Sequence, residues 1–328
     1  MIGKKRILSG MRPTGPLHLG NLHGALANWV VLQNQYDCFF FIADWHALTS
    51  DYEDPSSISI YVRNMMIDFL SAGLSPDRST LFVQSHIREH AELFLILAMI
   101  TPTPWLERNP TYKDQIVEIS NKDLSTFGFL GYPVLQAADI IIYKADGVPV
   151  GVDQVPHVEI TREIARRFNQ FYGKVFPEPE AILTQTPKIL GLDRRKMSKS
   201  YNNAIYLSDS PDNIASKVAS MITDPQRARK NDPGNPELCN VFEFHKLYSE
   251  TEIVDKINNE CRIARIGCVD CKKIMAGNLI TALEPIHEKR NYYNARPELV
   301  DDIILTGSNK AREIAKQTMA EVRAAIKI

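Results

Sequence analysis

Four constellations in this sequence combine residue types and spacings that can do chemistry. In SGMRPTGPLHLGNLHGALANW, the glycines Gly10, Gly15 and Gly20 follow a short apolar run, and Leu22, Leu26 and Trp29 recur behind them at helical spacing. A strand, a glycine turn and a helix N-terminus bring unpaired amides and the positive end of the helix dipole to one place, which suits an anion. An ordinary strand-to-helix turn has the same glycine spacing. His18 and Asn21 favour the anion, because both can donate a hydrogen bond to a phosphate oxygen. The turn is neither a G-x-G-x-x-G fingerprint nor a Walker loop, so neither a dinucleotide enzyme nor a P-loop ATPase is supported.

The second constellation, GLDRRKMSKS, puts Arg194, Arg195, Lys196 and Lys199 within six residues. Such a cluster is either a solvated face or a cradle for a polyanion, and the serines interleaved with the lysines argue for the cradle. In the third, Tyr132, Gln136, Asp139 and Tyr143 are four, three and four residues apart, so they share one face of a predicted helix. A carboxylate among Ala137, Ala138, Ile140, Ile141 and Ile142 is costly unless it meets a donor, either a neighbouring Lys or Arg or an N–H of a ligand. The fourth is a quartet of thiols, Cys239, Cys261, Cys268 and Cys271, separated by 21, 6 and 2 residues. The Cys-x2-Cys element suits tetrahedral zinc or an iron–sulfur cluster, and spacing alone does not choose between them. Cys38 stands apart in an apolar run and reads as core.

The elements that must position these residues are legible as a pattern. RILSG, DCFFFIAD and TLFVQS alternate with helical stretches at Gly20 to Gln35 and Ser56 to Ala72, the order of a doubly wound parallel sheet of the Rossmann type. After about Tyr206 the pattern is helical, with Val254 to Ile263, Lys272 to Leu283 and Asn309 to Ile326 as the clearest segments. TDPQRARKNDPGNPEL, rich in turn residues, reads as a linker or surface loop. We therefore expect an α/β catalytic domain over 1–205 and a helical domain over 206–328, which suits a chain of 328 residues with 44% hydrophobic side chains. With 38 Lys and Arg against 39 Asp and Glu, a field covering the whole molecule cannot attract a polyanion, so any nucleic-acid surface is a local patch. The start MIGKKRILSG does not read as a signal peptide and no apolar run approaches a membrane span, so the expected location is the cytoplasm.

His18-Leu19-Gly20-Asn21 resembles the HIGH-type signature of class I aminoacyl-tRNA synthetases, and Lys196 to Ser200 matches their KMSKS loop in full. Asn21 in the last position is a variant of the tryptophanyl branch. YPxLQAAD around Gln136 occurs in tyrosyl and tryptophanyl forms alike, whereas RPTG (Arg12 to Gly15), ADWHALT (Ala43 to Thr49), LERNPTYK (Leu106 to Lys113) and GVPVGVDQVPHVEITR (Gly147 to Arg162) resemble the tryptophanyl branch. The resemblance covers essentially the whole chain. It implies activation of tryptophan by ATP, carried with Mg²⁺, followed by transfer to the 3′ ribose of tRNA(Trp), by a homodimer.

The resemblance implies that His18 and Asn21 stabilise phosphate charge and that Lys196 and Lys199 bind the leaving pyrophosphate. Arg12, Pro13, Thr14, Gly20, Gly151, Val152, Asp153, Ile189, Met197, Ser198 and Ser200 would complete the ATP site. Asp139 would accept the indole N–H, Tyr132 and Gln154 would hold the α-amino group, Gln136 would line the pocket, and Val148 and Val150 would flank the ring. DPGNPELCNVF and RIGCVDCKK resemble a subset of the branch in which four cysteines hold a 4Fe-4S cluster, zinc being the alternative. Arg262, Arg265, Lys272 and Lys273 near the quartet would engage tRNA phosphates or form a solvated face. A tyrosyl enzyme, a nucleotidyltransferase of the same superfamily and a non-catalytic RNA-binding paralogue are the rival readings.

Overall fold

A computed structural model describes residues 4–108, 124–183 and 189–328, apart from the side chain of Asp153. Five parallel strands, β1 (Arg6–Met11), β2 (Asp37–Ile42), β3 (Ser79–Val83), β4 (Gly147–Val150) and β5 (Glu180–Leu183), form one sheet in the order β3-β2-β1-β4-β5. The central strands are apolar on both faces because both faces are covered. Cys38, Phe40 and Ile42 point into one core, while Phe39 and Phe41 point into the other. Cys38 is fully buried, as its apolar run predicts.

Thirteen α-helical segments lie among the described residues: α1 (Leu19–Asn21), α2 (Ala27–Leu32), α3 (Asp44–Asp51), α4 (Ile58–Ser71), α5 (Glu89–Ala98), α6 (Thr103–Glu107), α7 (Phe127–Ile141), α8 (Val155–Tyr172), α9 (Pro211–Ser220), α10 (Asn240–Tyr248), α11 (Thr251–Arg262), α12 (Cys268–Asn294) and α13 (Pro297–Ile326). One core packs Trp29 and residues 65–70 of α4 against the sheet together with Leu279 and Leu283 of α12. The opposite core is built by α5, α7 and α8. The long α13 lies along β3 at the sheet edge and joins both layers, giving Val300 and Ile304 to the first core and Ala311, Ala315, Met319 and Val322 to the second. Gly307 sits directly against the Leu81 carbonyl, so a side chain there would keep the helix off the edge strand.

Beyond Tyr206 the described residues are helical, without strands, and the 223–238 segment is irregular save for a short 3-10 turn at Pro236–Leu238. The helix expected over Lys272 to Leu283 extends in both directions, from Cys268 to Asn294, with Pro285 inside it. No helix among the described residues is long and apolar enough to cross a membrane.

The strand order places the site. The chain steps outward from β1 to β2 to β3, then returns to β4 on the other side of β1. The connections leaving the carboxyl ends of β1 and β4 therefore diverge and open a crevice, the place where such sheets bind ligands.

Candidate active site

The turn after β1 carries the first signature into this crevice. Its backbone follows from Gly15, whose φ of 134° is open to glycine and strained for other residues. Helix α1 is then capped by His18, whose amide donates to Asn21 Oδ1 at 3.0 Å. The chain continues through a π-helical turn at Leu22–Leu26 into α2.

The lysine loop lies on top of that turn. Its base is a small hairpin in which Gly191 N donates to Arg195 O at 2.7 Å and Met197 N to Ile189 O at 3.1 Å. Asn203 ties the hairpin across: its Oδ1 accepts from Ser198 N at 2.8 Å, and its Nδ2 donates to Asp193 Oδ1 at 2.7 Å and Lys196 O at 3.2 Å. The strand-like stretch beyond it bonds back onto the first signature, with Leu19 N donating to Ile205 O at 3.0 Å and Leu207 N to Leu17 O at 2.9 Å. Two motifs almost two hundred residues apart are thus joined by main-chain bonds.

Lys199 Nζ donates to Gly15 O at 3.0 Å, and burial with the Arg12 charge lowers its pKa to about 8 against the pull of Asp51. The His18 ring is buried beside Gly20, its Nδ1 has no hydrogen-bond partner among the described residues, and burial with the Lys199 charge lowers its pKa to about 4. Arg12 is exposed, yet the protein atoms around its guanidinium lower its pKa, opposed by Tyr132 and Asp51. A polar ring nitrogen without a partner beside cations that are hard to charge is an arrangement an arriving polyanion would relieve.

The remaining ATP-site residues are distributed around this centre. Pro13, Ile189 and Met197 are buried, Thr14, Gly151 and Ser198 are half-buried, and Lys196, Ser200 and Val152 are exposed. The side chain of Asp153 and part of LERNPTYK (109–113) lie outside the described residues.

The Asp139 face grades from crevice to core. Tyr132 and Gln136 are half-buried, Asp139 and Tyr143 are buried, and Tyr143 falls just beyond the end of α7. Asp139 meets neither a lysine nor an arginine: Gln84 Nε2 donates to both its oxygens at 2.8 and 2.9 Å, His46 Nε2 lies 2.8 Å from Oδ2, and His90 Nδ1 lies 2.5 Å from Oδ1. Burial alone would raise the pKa of this carboxyl, but the bonds from His46 and His90 outweigh it and hold the group below the usual carboxylate range. His90 Nε2 lies 2.6 Å from Tyr143 Oη, so the chain of bonds runs on into the core. Nearer the crevice, the Tyr132 hydroxyl lies 3.2 Å from His157 Nε2. Val148 is buried within β4, Val150 is half-buried at its crevice end, and Gln154 is half-buried in the turn that follows.

Sequence reasoning missed His46, Gln84 and His90. ADWHALT places His46 in α3 just after β2, and TLFVQS ends one residue past Gln84, so both follow the carboxyl ends of strands, a position that could have drawn attention to them. His90 is a lone histidine and carries no local signal.

The four thiols gather in one region between α10, α11 and α12. Burial raises the pKa of Cys239, Cys261 and Cys271, the last up to about 12, and their mutual repulsion adds to it. Arg227 Nη1 lies 3.7 Å from Cys261 Sγ, while Cys271 Sγ lies 3.5 Å from His245 Nε2. Among the described residues no three His, Cys, Asp or Glu side chains converge closely enough to hold a metal ion.

The sequence matches the family of tRNA synthetases class I (W and Y) over residues 3–284. It is 54% identical over 325 residues to the tryptophan–tRNA ligase of Thermotoga maritima, covering 98% of this chain and 99% of the relative. It is 48% identical to the ligase of Aquifex aeolicus, covering 98% of this chain and all of the relative. Among solved structures, tryptophanyl-tRNA synthetase from Campylobacter jejuni complexed with ADP and tryptophan superposes with a TM-score of 0.91 at 33% identity, over 98% of this chain and all of that one. The chain belongs to the class I tRNA synthetases of the tryptophan and tyrosine family, and within it its function is that of the tryptophan–tRNA ligases.

Proposed function

We propose that tryptophanyl-adenylate forms in the crevice between β1 and β4, with the residues of the two signatures in the roles their positions suit. The observation that carries this reading is the meeting of Arg12, His18 and Lys199 over the glycine turn, where two cationic side chains and a ring nitrogen without a hydrogen-bond partner among the described residues stand together near Asp51. In the reaction the tryptophan carboxylate attacks the α-phosphate of ATP and pyrophosphate leaves. The protein needs no nucleophile of its own and acts by placing reactants and stabilising charge. His18 and Asn21 serve the α-phosphate, Lys199 with the exposed Lys196 serves the pyrophosphate, and Gly151 and Asp153 serve the ribose. Mg²⁺ arrives bound to ATP and neutralises phosphate charge.

At the other end of the crevice Asp139 accepts the indole N–H, in exchange for one of its bonds from His46 or Gln84. A phenylalanine there would leave an acceptor unpaired, which supports selection for tryptophan. Tyr132 and Gln154 hold the α-amino group, Gln136 lines the pocket, and Val148 and Val150 supply apolar surface. The test is pyrophosphate exchange into ATP with tryptophan, tyrosine or neither. Exchange with tryptophan alone is expected, and exchange with tyrosine would overturn the pocket assignment.

We further assign residues 1–205 to activation and 206–328 to reading tRNA(Trp), in a homodimer. The four thiols of Cys239, Cys261, Cys268 and Cys271 have the donor chemistry of a 4Fe-4S or zinc site and lie near enough to repel one another, although among the described residues they do not converge to ligating distance. Such a group would cross-link the 223–239 segment, α11 and α12 and leave the chemistry to the crevice. For Cys268→Ser, metal analysis and visible absorbance of anaerobic protein are expected to show loss of the bound group. Amino-acid activation should survive better than tRNA charging, and unchanged metal content would remove the quartet from this role.

A further inference from the structure

One helix of the C-terminal region touches both signature segments. Helix α10 begins with Asn240, fully buried, whose Nδ2 donates to Gly191 O at 2.6 Å in the hairpin beneath the lysine loop. A second bond reinforces this end, from Arg194 Nη1 to Leu238 O at 2.5 Å, two residues before Asn240. Gly191 packs so closely on the Asn203 side chain that a Cβ there would run into it, and Asn203 itself holds Ser198 and the Lys196 carbonyl. The last residue of α10, Tyr248, places its hydroxyl 2.6 Å from His23 Nε2, with the rings edge-on at 73°. His23 lies in the π-helical turn that directly follows His18 to Asn21. Insertions of this kind into helices are frequent at functional sites. Between its ends α10 is anchored in the core by Val241, Phe242 and Phe244.

We propose that α10 is a strut that sets the spacing between the two ATP-site segments, with Asn240 and Tyr248 as its positioning residues. Asn240 bonds to Gly191 and Tyr248 to His23, not to the side chains assigned to ATP. Their effect passes through Gly191 to the lysine loop and through His23 to the helix capped by His18, so the inference rests on the roles given above to Lys199 and His18. A rigid strut between the signatures means that movement of the C-terminal helices on binding tRNA is felt at the ATP phosphates, while the Asp139 end of the crevice, held by other elements, is not.

The test compares Asn240→Ala, Tyr248→Phe and the double variant in pyrophosphate exchange, with ATP titrated at saturating tryptophan. Tryptophan binding without ATP is measured by calorimetry alongside. The KM for ATP is expected to rise about tenfold for Asn240→Ala and roughly threefold for Tyr248→Phe, the scale of one lost hydrogen bond. The tryptophan Kd should stay at the wild-type value, and the double variant should be less impaired than the product of the single effects. A change in tryptophan Kd equal to that in KM would point to general loosening and overturn the strut. If Asn240→Ala does not fold, Tyr248→Phe, which keeps the ring and its packing, decides alone. Lys199→Ala run in parallel separates the two levels. Normal exchange by that variant would sink the roles assigned to the loop, whereas its impairment beside a wild-type KM for ATP in the Tyr248 and Asn240 variants would sink the strut only.

Discussion

The two ends of the crevice solve opposite electrostatic problems. At the Asp139 end a buried anion is surrounded by its donors, His46, Gln84 and His90, and its pKa falls in spite of burial. At the signature end His18, Lys199 and Arg12 crowd together, opposed by Asp51 and, at Arg12, by Tyr132, and all three have lowered pKa values. One end is complete without a ligand, and the other lacks the negative charge it is shaped to meet. Satisfied buried networks rigidify a site and specify its shape, which suits selection of an amino acid. Donors held in place ahead of the ligand suit stabilisation of charge on a phosphate, because little reorganisation is needed when that charge arrives.

The sharpest way to break this contrast is to remove the cation that belongs to both signature segments. Lys199→Ala is expected to slow pyrophosphate exchange by on the order of a thousandfold, the scale of one lost donor in a preorganised site. Its tryptophan Kd should be unchanged, since the ammonium bonds to the Gly15 carbonyl and not to the Asp139 network. A shift in tryptophan affinity as large as the loss of rate would show that the two ends are one electrostatic unit.

The opposite end predicts a different signature. Asp139→Asn keeps the shape but puts an amide N–H among three donors, so stability should drop by about 2–3 kcal/mol, the cost of leaving buried polar groups unpaired. The kcat/KM for tryptophan should fall about a hundredfold, with the KM for ATP nearly unchanged. Thermal unfolding and exchange kinetics on one preparation measure both. Wild-type discrimination against tyrosine and phenylalanine in this variant would remove Asp139 from the pocket.

The contrast also separates what could be read in the sequence from what could not. The lysine loop and the glycine turn are local patterns: each needs a particular backbone, and the residues that give it stand side by side. The first three strands were legible for a similar reason, since DCFFFI is apolar at every position after Asp37 only because cores lie on both faces, whereas the four-residue strands β4 and β5 were not legible as strands. The Asp139 network was half legible. A carboxylate inside an apolar helix announces that a donor must exist, but the donors come from α3, the end of β3 and α5, and nothing periodic links them. The expected alternative to a ligand, a lysine or arginine, was wrong because the fold brings histidines and a glutamine to that point. Likewise Asn240 and Tyr248 look like ordinary positions of an amphipathic helix, since their meaning lies in segments reached only through the tertiary fold. Pro285 had the reverse effect: α12 runs on past it, packed on α4 and α10, where sequence rules favour a stop.

The mildest prediction uses pH and needs no substitution at first. In the free protein Lys199 titrates at about 8, below its ordinary 10.5, because burial and Arg12 disfavour its charged form against the pull of Asp51. ATP phosphates favour that charged form, so binding must take up a proton wherever the free lysine has lost it. The KM for ATP is therefore expected to rise by about tenfold from pH 7 to pH 9, the proton linkage of one group, while the tryptophan Kd stays flat. The same group acts on folding in the other direction. The folded protein binds fewer protons than the unfolded chain between about 8 and 10.5, so the destabilisation due to burying this charge is fully present below pH 8 and is relieved as pH rises through that window. Free protein should thus gain stability from Lys199 over the range in which ATP affinity declines. Lys199→Met should abolish both slopes together. A slope in ATP affinity that persists in that variant would place the titration elsewhere, and a stability slope of the same sign as the affinity slope would contradict the picture of a cation buried ahead of its anion.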